Sequence, residues 1–246
     1  GFGALTKPLA RRAKKVVSLE IDPTLLPILR VTLEHHENAS VVQGDVMKTD
    51  LFALVQEAFG SEYSLRVAAN LPYYITTDVL TKFLLTLPQA KSIAVMIQKE
   101  VGDKLLCQPG DDGYGPLTIL CQYFCEVRRA LDVPAACFNP PPKVDSSFMV
   151  LERYAQKPCE PTNEALFLKL VKQGECIHHC AGKACNNLAA IQTTHLAGVG
   201  LEDHAFAHGH LTVASDSDLA VLAHGADGRT FEFNAHIFVI PPMFRV

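Results

Sequence analysis

Four short apolar runs near the start of the chain each end in polar side chains, and a stretch with helical spacing follows each run. Continuous apolar runs of this length are typical of strands that are buried on both faces. Strands that alternate with helices predict a doubly wound α/β fold with a parallel sheet. The predicted strands and the polar residues at their ends are 16–22 with Glu20 and Asp22, 39–45 with Asp45, 65–69 with Asn70, and 92–98 with Gln98.

The spacing of apolar residues predicts helices between these strands. A closing strand is predicted at 148–151, and the composition changes after Pro158 and Pro161. We therefore divide the chain into a main domain (1–155), a small helical domain (163–228) and an unassigned tail (229–246). The predicted helices are 4–14, 23–36, 50–59, 76–87 and 99–107.

Ligands of such sheets bind beyond the carboxyl ends of the strands, where the polar residues lie. Gly1 and Gly3 form a glycine turn that runs into a helix. Glu20 follows about 17 residues later, close to the ~20 expected of an acid that binds ribose hydroxyls. Asp45, after Gly44, is placed to accept a hydrogen bond from an adenine amino group. Taken singly, Glu20 fits a solvated strand end equally well, and Asp45 fits a turn cap.

The segment Asn70-Leu71-Pro72-Tyr73-Tyr74 is the most specific feature. The amino group of a base is a poor nucleophile because its lone pair is delocalised into the ring. Carbonyl oxygens of Asn70 and Leu71 that accept hydrogen bonds from this group would draw the nitrogen toward sp3 geometry. Pro72 stiffens the turn, and Tyr73 or Tyr74 offers a face on which an extruded base stacks. The alternative is an ordinary Asn-x-Pro turn.

The overall composition limits the function classes. Hydrophobic residues make up 48% of the 246 residues and the formal net charge is −4, which is not typical of a strong nucleic-acid binder. Contact with nucleic acid would need a local basic patch, either 11–15 or Arg128 with Arg129, although both also fit solvated faces. We find no apolar run of the ~18 residues that a membrane helix needs, and we expect a soluble cytoplasmic protein. The basic residues of the first patch are Arg11, Arg12, Lys14 and Lys15.

The chain has eight cysteines. In a reducing compartment we expect the first four to be small buried hydrophobic residues. A later group has some resemblance to a zinc site but does not match a standard finger, and we favour an altered RNA-binding helix without metal. The first four cysteines are Cys107, Cys121, Cys125 and Cys137, and the later group is Cys176, His179, Cys180 and Cys185.

Several stretches occur together in one order: GFGALTKPLA (1–10), VVSLEIDP (16–23), VVQGDVMKTDL (41–51), AANLPYYITTDVL (68–80), MIQKEVGDKL (96–105), YGPLTIL (114–120) and FNPPPKVDSSFMVL (138–151). In these stretches the chain resembles the KsgA-type family of ribosomal RNA small-subunit adenine dimethyltransferases, which are relatives of the Erm methyltransferases. The resemblance implies a Rossmann-like S-adenosylmethionine-dependent methyltransferase domain with a small helical C-terminal domain. It covers the first 155 residues almost continuously.

The resemblance also implies roles for residues. It places Gly1 at the amino-acid part of S-adenosylmethionine, Glu20 on the ribose, Asp45 on the adenine amino group, and Asn70 between the donor and the target base. The target adenine would stack on Tyr73, with Phe138 as a second wall. The full expected sets are, for the donor, Gly1, Gly3, Glu20, Asp22, Asp45, Val46 and Asn70, and for the reaction, Asn70, Leu71, Pro72, Tyr73 and Phe138.

The family product is N6,N6-dimethyladenine at two adjacent adenines of a hairpin near the 3′ end of 16S rRNA, made without a metal. We therefore expect a monomeric enzyme of small-subunit biogenesis whose partner is 16S rRNA or the small-subunit precursor. Two alternatives stay open. One is a non-catalytic RNA-binding assembly factor with the same fold, and the other is an Erm-like methyltransferase of 23S rRNA.

The chain departs from the family pattern at both ends. The family's first strand and N-terminal motif would lie before Gly1, so we expect them to be missing. The family has an arginine-rich helix where residues 176–185 carry cysteine and histidine, before Asn186-Asn187-Leu188. Histidine has a pKa near ~6.5 and is largely neutral at pH 7, whereas arginine is always charged.

We therefore expect weaker RNA binding than that of a family member with the arginine-rich helix. Each lost phosphate contact lowers the slope of log affinity against log salt by about 0.9. A filter-binding salt titration should give a shallow slope for this chain. A slope as steep as that of the arginine-rich relative, measured in parallel, would contradict this expectation.

Overall fold

Seven strands form one mixed sheet in the computed structural model of the protein, which describes residues 1–173 and 236–240. The strands are β1 (Lys15–Glu20), β2 (Ala39–Gln43), β3 (Leu65–Asn70), β4 (Ala90–Gln98), β5 (Cys125–Val133), β6 (Ser146–Arg153) and β7 (His236–Ile240). The helices in these ranges are α1 (Thr6–Ala10), α2 (Leu26–Thr32), α3 (Leu51–Phe59), α4 (Thr76–Thr86), α5 (Lys99–Leu105), α6 (Pro116–Phe124) and α7 (Glu164–Gln173).

The order of strands across the sheet is β2-β1-β7-β3-β4-β6-β5. The first five strands in this order are parallel, whereas β6 runs antiparallel to both β4 and β5. Helices connect the successive parallel strands from β1 to β4. The prediction of an α/β fold built on a parallel sheet is confirmed, with an antiparallel pair at one edge.

The centre of the sheet is occupied by β7, which comes from the tail that the sequence analysis left unassigned. This strand pairs in parallel with β1 on one side and with β3 on the other. In the order β2-β1-β7-β3-β4, β7 has the central position that the first strand takes in a doubly wound sheet. Its sequence, HIFVI, is a short apolar run of the kind that identified the other parallel strands.

The main core lies between the sheet and the helices that cover it. Phe83 of α4 and Val95 of β4 are fully buried in this core, and each such side chain contributes about 1.5–3 kcal/mol. Phe167 and Val171 of α7 belong to the same core, and the Phe167 ring lies 4.7 Å from that of Tyr123. The division of the chain at residue 163 stays a prediction, since residues 174–235 lie outside the described ranges.

Arg153, at the end of β6, holds the end of α4 against the sheet. Its guanidinium donates to the carbonyl oxygens of Leu84, Leu87 and Ala90 at 3.0–3.3 Å. It also lies 5.2 Å from the centre of the Phe124 ring. Burial lowers the pKa of Arg153, yet the side chain supplies a donor to the carbonyl of Leu84, which lies in the last turn of α4, where carbonyls lack partners within the helix.

Two helices are shorter than their spacing predicts. α1 ends at Ala10 because Asn38 donates to the carbonyl oxygens of Ala10 and Ala13, at 2.7 and 2.8 Å. A 3-10 turn over Pro23–Leu25 precedes α2, since Pro27 has no N–H with which to continue a helix from Pro23. Neither the Asn38 hydrogen bonds nor the missing N–H of Pro27 can be predicted from apolar periodicity.

The expectation that the first four cysteines are buried is half right. Cys121 and Cys125 lie in the core, whereas Cys107 and Cys137 are partly exposed. Burial raises the pKa of the Cys125 thiol to about 11. No helix in the described part of the chain is both long and apolar enough to cross a membrane.

Proline in place of Phe238 should destabilise the protein by about 3 kcal/mol or more, because it removes a backbone donor from the central strand. The matched Phe238→Leu change keeps the N–H and should cost less. Guanidinium unfolding of the full chain measures both variants. An unfolding midpoint for Phe238→Pro equal to that of Phe238→Leu would show that β7 does not support the sheet.

Candidate active site

Glu20 and Asn70 occupy one row at the carboxyl edge of the parallel strands. Val239 of β7 is the register partner of Ser18 in β1 and of Ala68 in β3. Glu20 and Asn70 lie two residues further along their strands, so their side chains are on the same face of the sheet. The row spans two interstrand spacings, about 10 Å. Both residues are buried, with exposures of 1% and 5%.

The carboxylate of Glu20 is oriented by two nitrogen atoms. The terminal amino group of Gly1 forms an ion pair with Oε2 at 2.5 Å, and the backbone nitrogen of Asp22 donates to Oε1 at 3.0 Å. Gly3 has a φ of +84°, and a Cβ there would lie 3.2 Å from Cγ2 of Thr32. The glycine turn can therefore pack closely against α2 only with glycine at this position.

Asp22 caps the 3-10 turn that follows β1. Its Oδ1 accepts hydrogen bonds from the backbone nitrogen and the hydroxyl of Thr24, at 2.8 and 2.7 Å. These bonds lower the pKa of Asp22. The Oδ1 of Asp22 is thus occupied by these local hydrogen bonds. The expected role of Asp22 in the donor site stays a prediction.

Asp45 organises the tight loop after β2. Its Oδ1 accepts from the nitrogen of Met47 at 2.8 Å, and its carbonyl accepts from the nitrogen and hydroxyl of Thr49, both at 2.8 Å. A Cβ at Gly44 would lie 2.8 Å from the Thr49 hydroxyl. Val46 is buried in the main core. The turn-cap role that we weighed for Asp45 is present, and its Oδ2 lies 3.8 Å from the Nζ of Lys48, which is exposed.

Asn70 carries an unpaired polar atom in a buried position. Its Nδ2 has no hydrogen-bond partner among the described residues, and a buried donor without a partner costs about 1–3 kcal/mol. The next backbone nitrogen, of Leu71, donates to the carbonyl of Met96 at 3.1 Å and extends the β3–β4 ladder. A bound molecule with an acceptor at this point would satisfy the amide.

The turn after Asn70 is held by local bonds and one distant bond. The carbonyl of Pro72 accepts from the hydroxyl of Thr76 at 3.1 Å, at the first residue of α4. The phenol of Tyr73 lies 2.8 Å from the hydroxyl of Ser146. Burial raises the pKa of Tyr73, so its ring stays neutral. Tyr74 is 57% exposed.

The proline-rich loop (138–147) is anchored through Asp145. Asp145 accepts from the nitrogen of Ala135 through Oδ1 and from that of Lys99 through its carbonyl, both at 2.9 Å. Phe138 is only 4% exposed. Its role as a second wall for a base stays a prediction. Ser146, at the start of β6, fixes Tyr73, and the sequence analysis did not assign it a role in the site.

The two basic patches differ in their partners. Arg129 forms ion pairs with Asp103 and Asp132, and Arg128 pairs with Glu152. The Nζ of Lys15 donates to the carbonyl of Ala58 at 2.6 Å. All four basic residues of the first patch are exposed, so this patch is the better candidate for contact with a phosphate backbone. They are Arg11, Arg12, Lys14 and Lys15.

Among residues 1–173 and 236–240, no group of three or more His, Cys, Asp or Glu side chains could hold a metal ion. The cysteine and histidine group that resembles a zinc site lies outside the described residues. Its members are Cys176, His179, Cys180 and Cys185.

Comparisons with known proteins show which family the chain resembles. The ribosomal RNA adenine dimethylase family model matches residues 1–174. The ribosomal RNA small subunit methyltransferase A of Ligilactobacillus salivarius is 47% identical over 178 residues, which are 72% of this chain and 60% of that protein. The chain thus spans about three fifths of the length of this relative.

Two solved structures resemble the fold. A dimethyladenosine transferase from Plasmodium falciparum aligns with a TM-score of 0.58 at 30% identity, over 73% of this chain and 61% of its own. The 23S rRNA methyltransferase ErmE aligns with a TM-score of 0.56 at 29% identity, over 77% of this chain and 70% of its own.

The contact between Tyr73 and Ser146 should appear as coupling between the two side chains. We expect Tyr73→Phe and Ser146→Ala each to destabilise the protein, and the double variant to cost about 0.5–1.5 kcal/mol less than the sum. Guanidinium unfolding of the four proteins in this cycle measures the coupling. Additive effects would mean that the two hydroxyls do not interact.

Proposed function

This chain belongs to the ribosomal RNA adenine dimethylase family, and we propose that it transfers methyl groups from S-adenosylmethionine to N6 of adenine in small-subunit rRNA. The observation that carries the proposal is the buried Asn70 amide. It has an unpaired Nδ2, stands in one row with the buried Glu20 carboxylate, and leads into a turn that places Tyr73 beside Ser146.

The residues present suit the methyl donor. The carboxylate of Glu20 accepts from the terminal amino group of Gly1 and from the nitrogen of Asp22, and its remaining lone pairs would accept from neutral hydroxyl donors such as those of a ribose. The Oδ2 of Asp45, which lies 3.8 Å from the Nζ of the exposed Lys48, would accept from the adenine amino group. When bound, S-adenosylmethionine supplies a methyl group made reactive by the positive charge on sulfur.

At the target base, the chain's own groups would position the adenine and polarise its amino group. The side-chain oxygen of Asn70 and the carbonyl of Leu71 would accept the two hydrogens of the amino group, which localises the lone pair on the nitrogen. Tyr73 would hold the base by stacking. Since the sulfonium supplies the electrophile, no charged general base is needed and the proton is lost to solvent after methyl transfer. Catalysis would then consist mainly of orientation and electrostatic stabilisation.

We assign the substrate to the small ribosomal subunit. The Ligilactobacillus salivarius relative, named for the small subunit, is 47% identical, whereas ErmE, named for 23S rRNA, is 29% identical. The proposed product is N6,N6-dimethyladenine at two adjacent adenines in the 3′-terminal hairpin of 16S rRNA. The site of action would be the cytoplasm, where ribosomal subunits of bacteria are assembled. Action as a monomer stays a prediction.

Replacement of Asn70 by alanine should lower methyl transfer by about 10²–10³-fold, the effect of removing one preorganised polar group from a reacting centre. Asn163→Ala is the matched control, since Asn163 caps α7 through the nitrogen of Leu166 and lies outside the proposed site. Labelled methyl transfer to 30S subunits that lack the modification measures activity, and 23S rRNA serves as the competing substrate.

Calorimetry with S-adenosylmethionine accompanies this assay. A wild-type chain that binds the RNA but not the donor would support the non-catalytic alternative. Methylation of 23S rRNA in preference to 30S subunits would support the Erm-like alternative. Equal activity of Asn70→Ala and Asn163→Ala would contradict the role given to Asn70.

A further inference from the structure

The loop after β2 is held by a side chain that comes from α4. The Nζ of Lys82 donates to the carbonyl oxygens of Met47 and Thr49, each at 2.8 Å. Two carbonyl dipoles that converge on one point repel each other, and a shared ammonium group removes this repulsion. In the part of the chain that the structure describes, no carboxylate forms an ion pair with Lys82.

The residues that Lys82 holds are the same two that hold Asp45. The nitrogen of Met47 donates to Oδ1 of Asp45, and Thr49 donates to the Asp45 carbonyl through both its nitrogen and its hydroxyl. Gly44 leaves no room for a Cβ on the other side of the loop. The direction of the Asp45 carboxylate therefore depends on a loop whose outer carbonyls are bound by Lys82.

The same helix carries the turn at the target-base side of the site. Thr76, the first residue of α4, bonds to the carbonyl of Pro72 at 3.1 Å. Lys82 lies six residues further along α4, a rise of about 9 Å. One short helix thus joins the loop of Asp45 to the turn of Pro72.

We propose that Lys82 is a positioning residue for the adenine part of the methyl donor. It touches neither donor nor base, and it acts by fixing the loop that orients Asp45. This inference rests on the proposed function in one respect, namely that Asp45 binds the donor. A simple stabilising contact between a helix and a loop would change the unfolding free energy without acting through Asp45.

The test replaces Lys82 by methionine, which keeps most of the stem and removes the ammonium group. We expect the dissociation constant and the KM of S-adenosylmethionine to rise by about tenfold, the equivalent of one charge-assisted hydrogen bond, while kcat at saturating donor is unchanged. Lys82→Arg should restore affinity to within about threefold, because a guanidinium also donates to two carbonyls. Calorimetry and initial-rate kinetics on the full chain supply these values.

Lys15→Met is the matched control. Lys15 also donates from its ammonium group to a backbone carbonyl, that of Ala58 at 2.6 Å, but it is the first residue of β1, whereas the proposed site lies at the carboxyl ends of the parallel strands. Its substitution should leave the donor dissociation constant unchanged. Lys82→Met should also have no further effect on donor affinity in an Asp45→Ala background, because the group through which it acts is then absent.

Hydrogen exchange tests the hold of Lys82 on the loop without any ligand. Lys82→Met should speed amide exchange at Met47 and Thr49, whereas Lys15→Met should not.

Donor binding separates the positioning role of Lys82 from the proposed function. If the wild-type chain binds the donor and Lys82→Met binds it equally well, the positioning role is wrong and the proposed function stands. If the wild-type chain does not bind the donor at all, the proposed function fails and the donor role of Lys82 fails with it.

Discussion

The pairing of β7 with both β1 and β3 is the interaction on which the rest of the structure depends. A central strand of a parallel sheet satisfies backbone groups on two neighbours at once, and buried backbone groups without partners are costly. The two neighbours are not paired with each other. Their register is set through Val239, and this register brings Glu20 and Asn70 into one row.

The candidate site combines two buried polar groups with loops that are held by backbone bonds. Glu20 is oriented by the terminal amino group of Gly1 and the backbone nitrogen of Asp22, and its oxygens keep lone pairs for hydroxyl groups. Asp22 and Asp45 each form a short turn of their own. Such an arrangement favours chemistry that proceeds by orientation and polarisation, because the polar groups are already in place before a ligand arrives.

Much of this could be predicted from local patterns. The strands that end in Glu20 and Asn70 follow from apolar runs, and the place of the site follows from the rule that parallel strands present ligands at their carboxyl ends. The ends of helices could not be predicted from local patterns, because Asn38 ends α1 from 28 residues away. The partial exposure of Cys107 and Cys137 was missed for a similar reason, since burial depends on which elements come to lie over a residue.

The sequence by itself determined the class of sheet, the polar residues at its carboxyl edge and the turn from Asn70 to Tyr74, since each of these features depends on a few neighbouring residues. Only the tertiary structure decided that HIFVI lies at the centre of the sheet, that Ser146 holds Tyr73, and that Lys82 holds the loop of Asp45. These contacts join residues that lie 33 or more positions apart, and local periodicity carries no information about which distant segment will pair with which. The physical reason is that long-range partners are selected by the shape and unpaired groups of the assembled sheet.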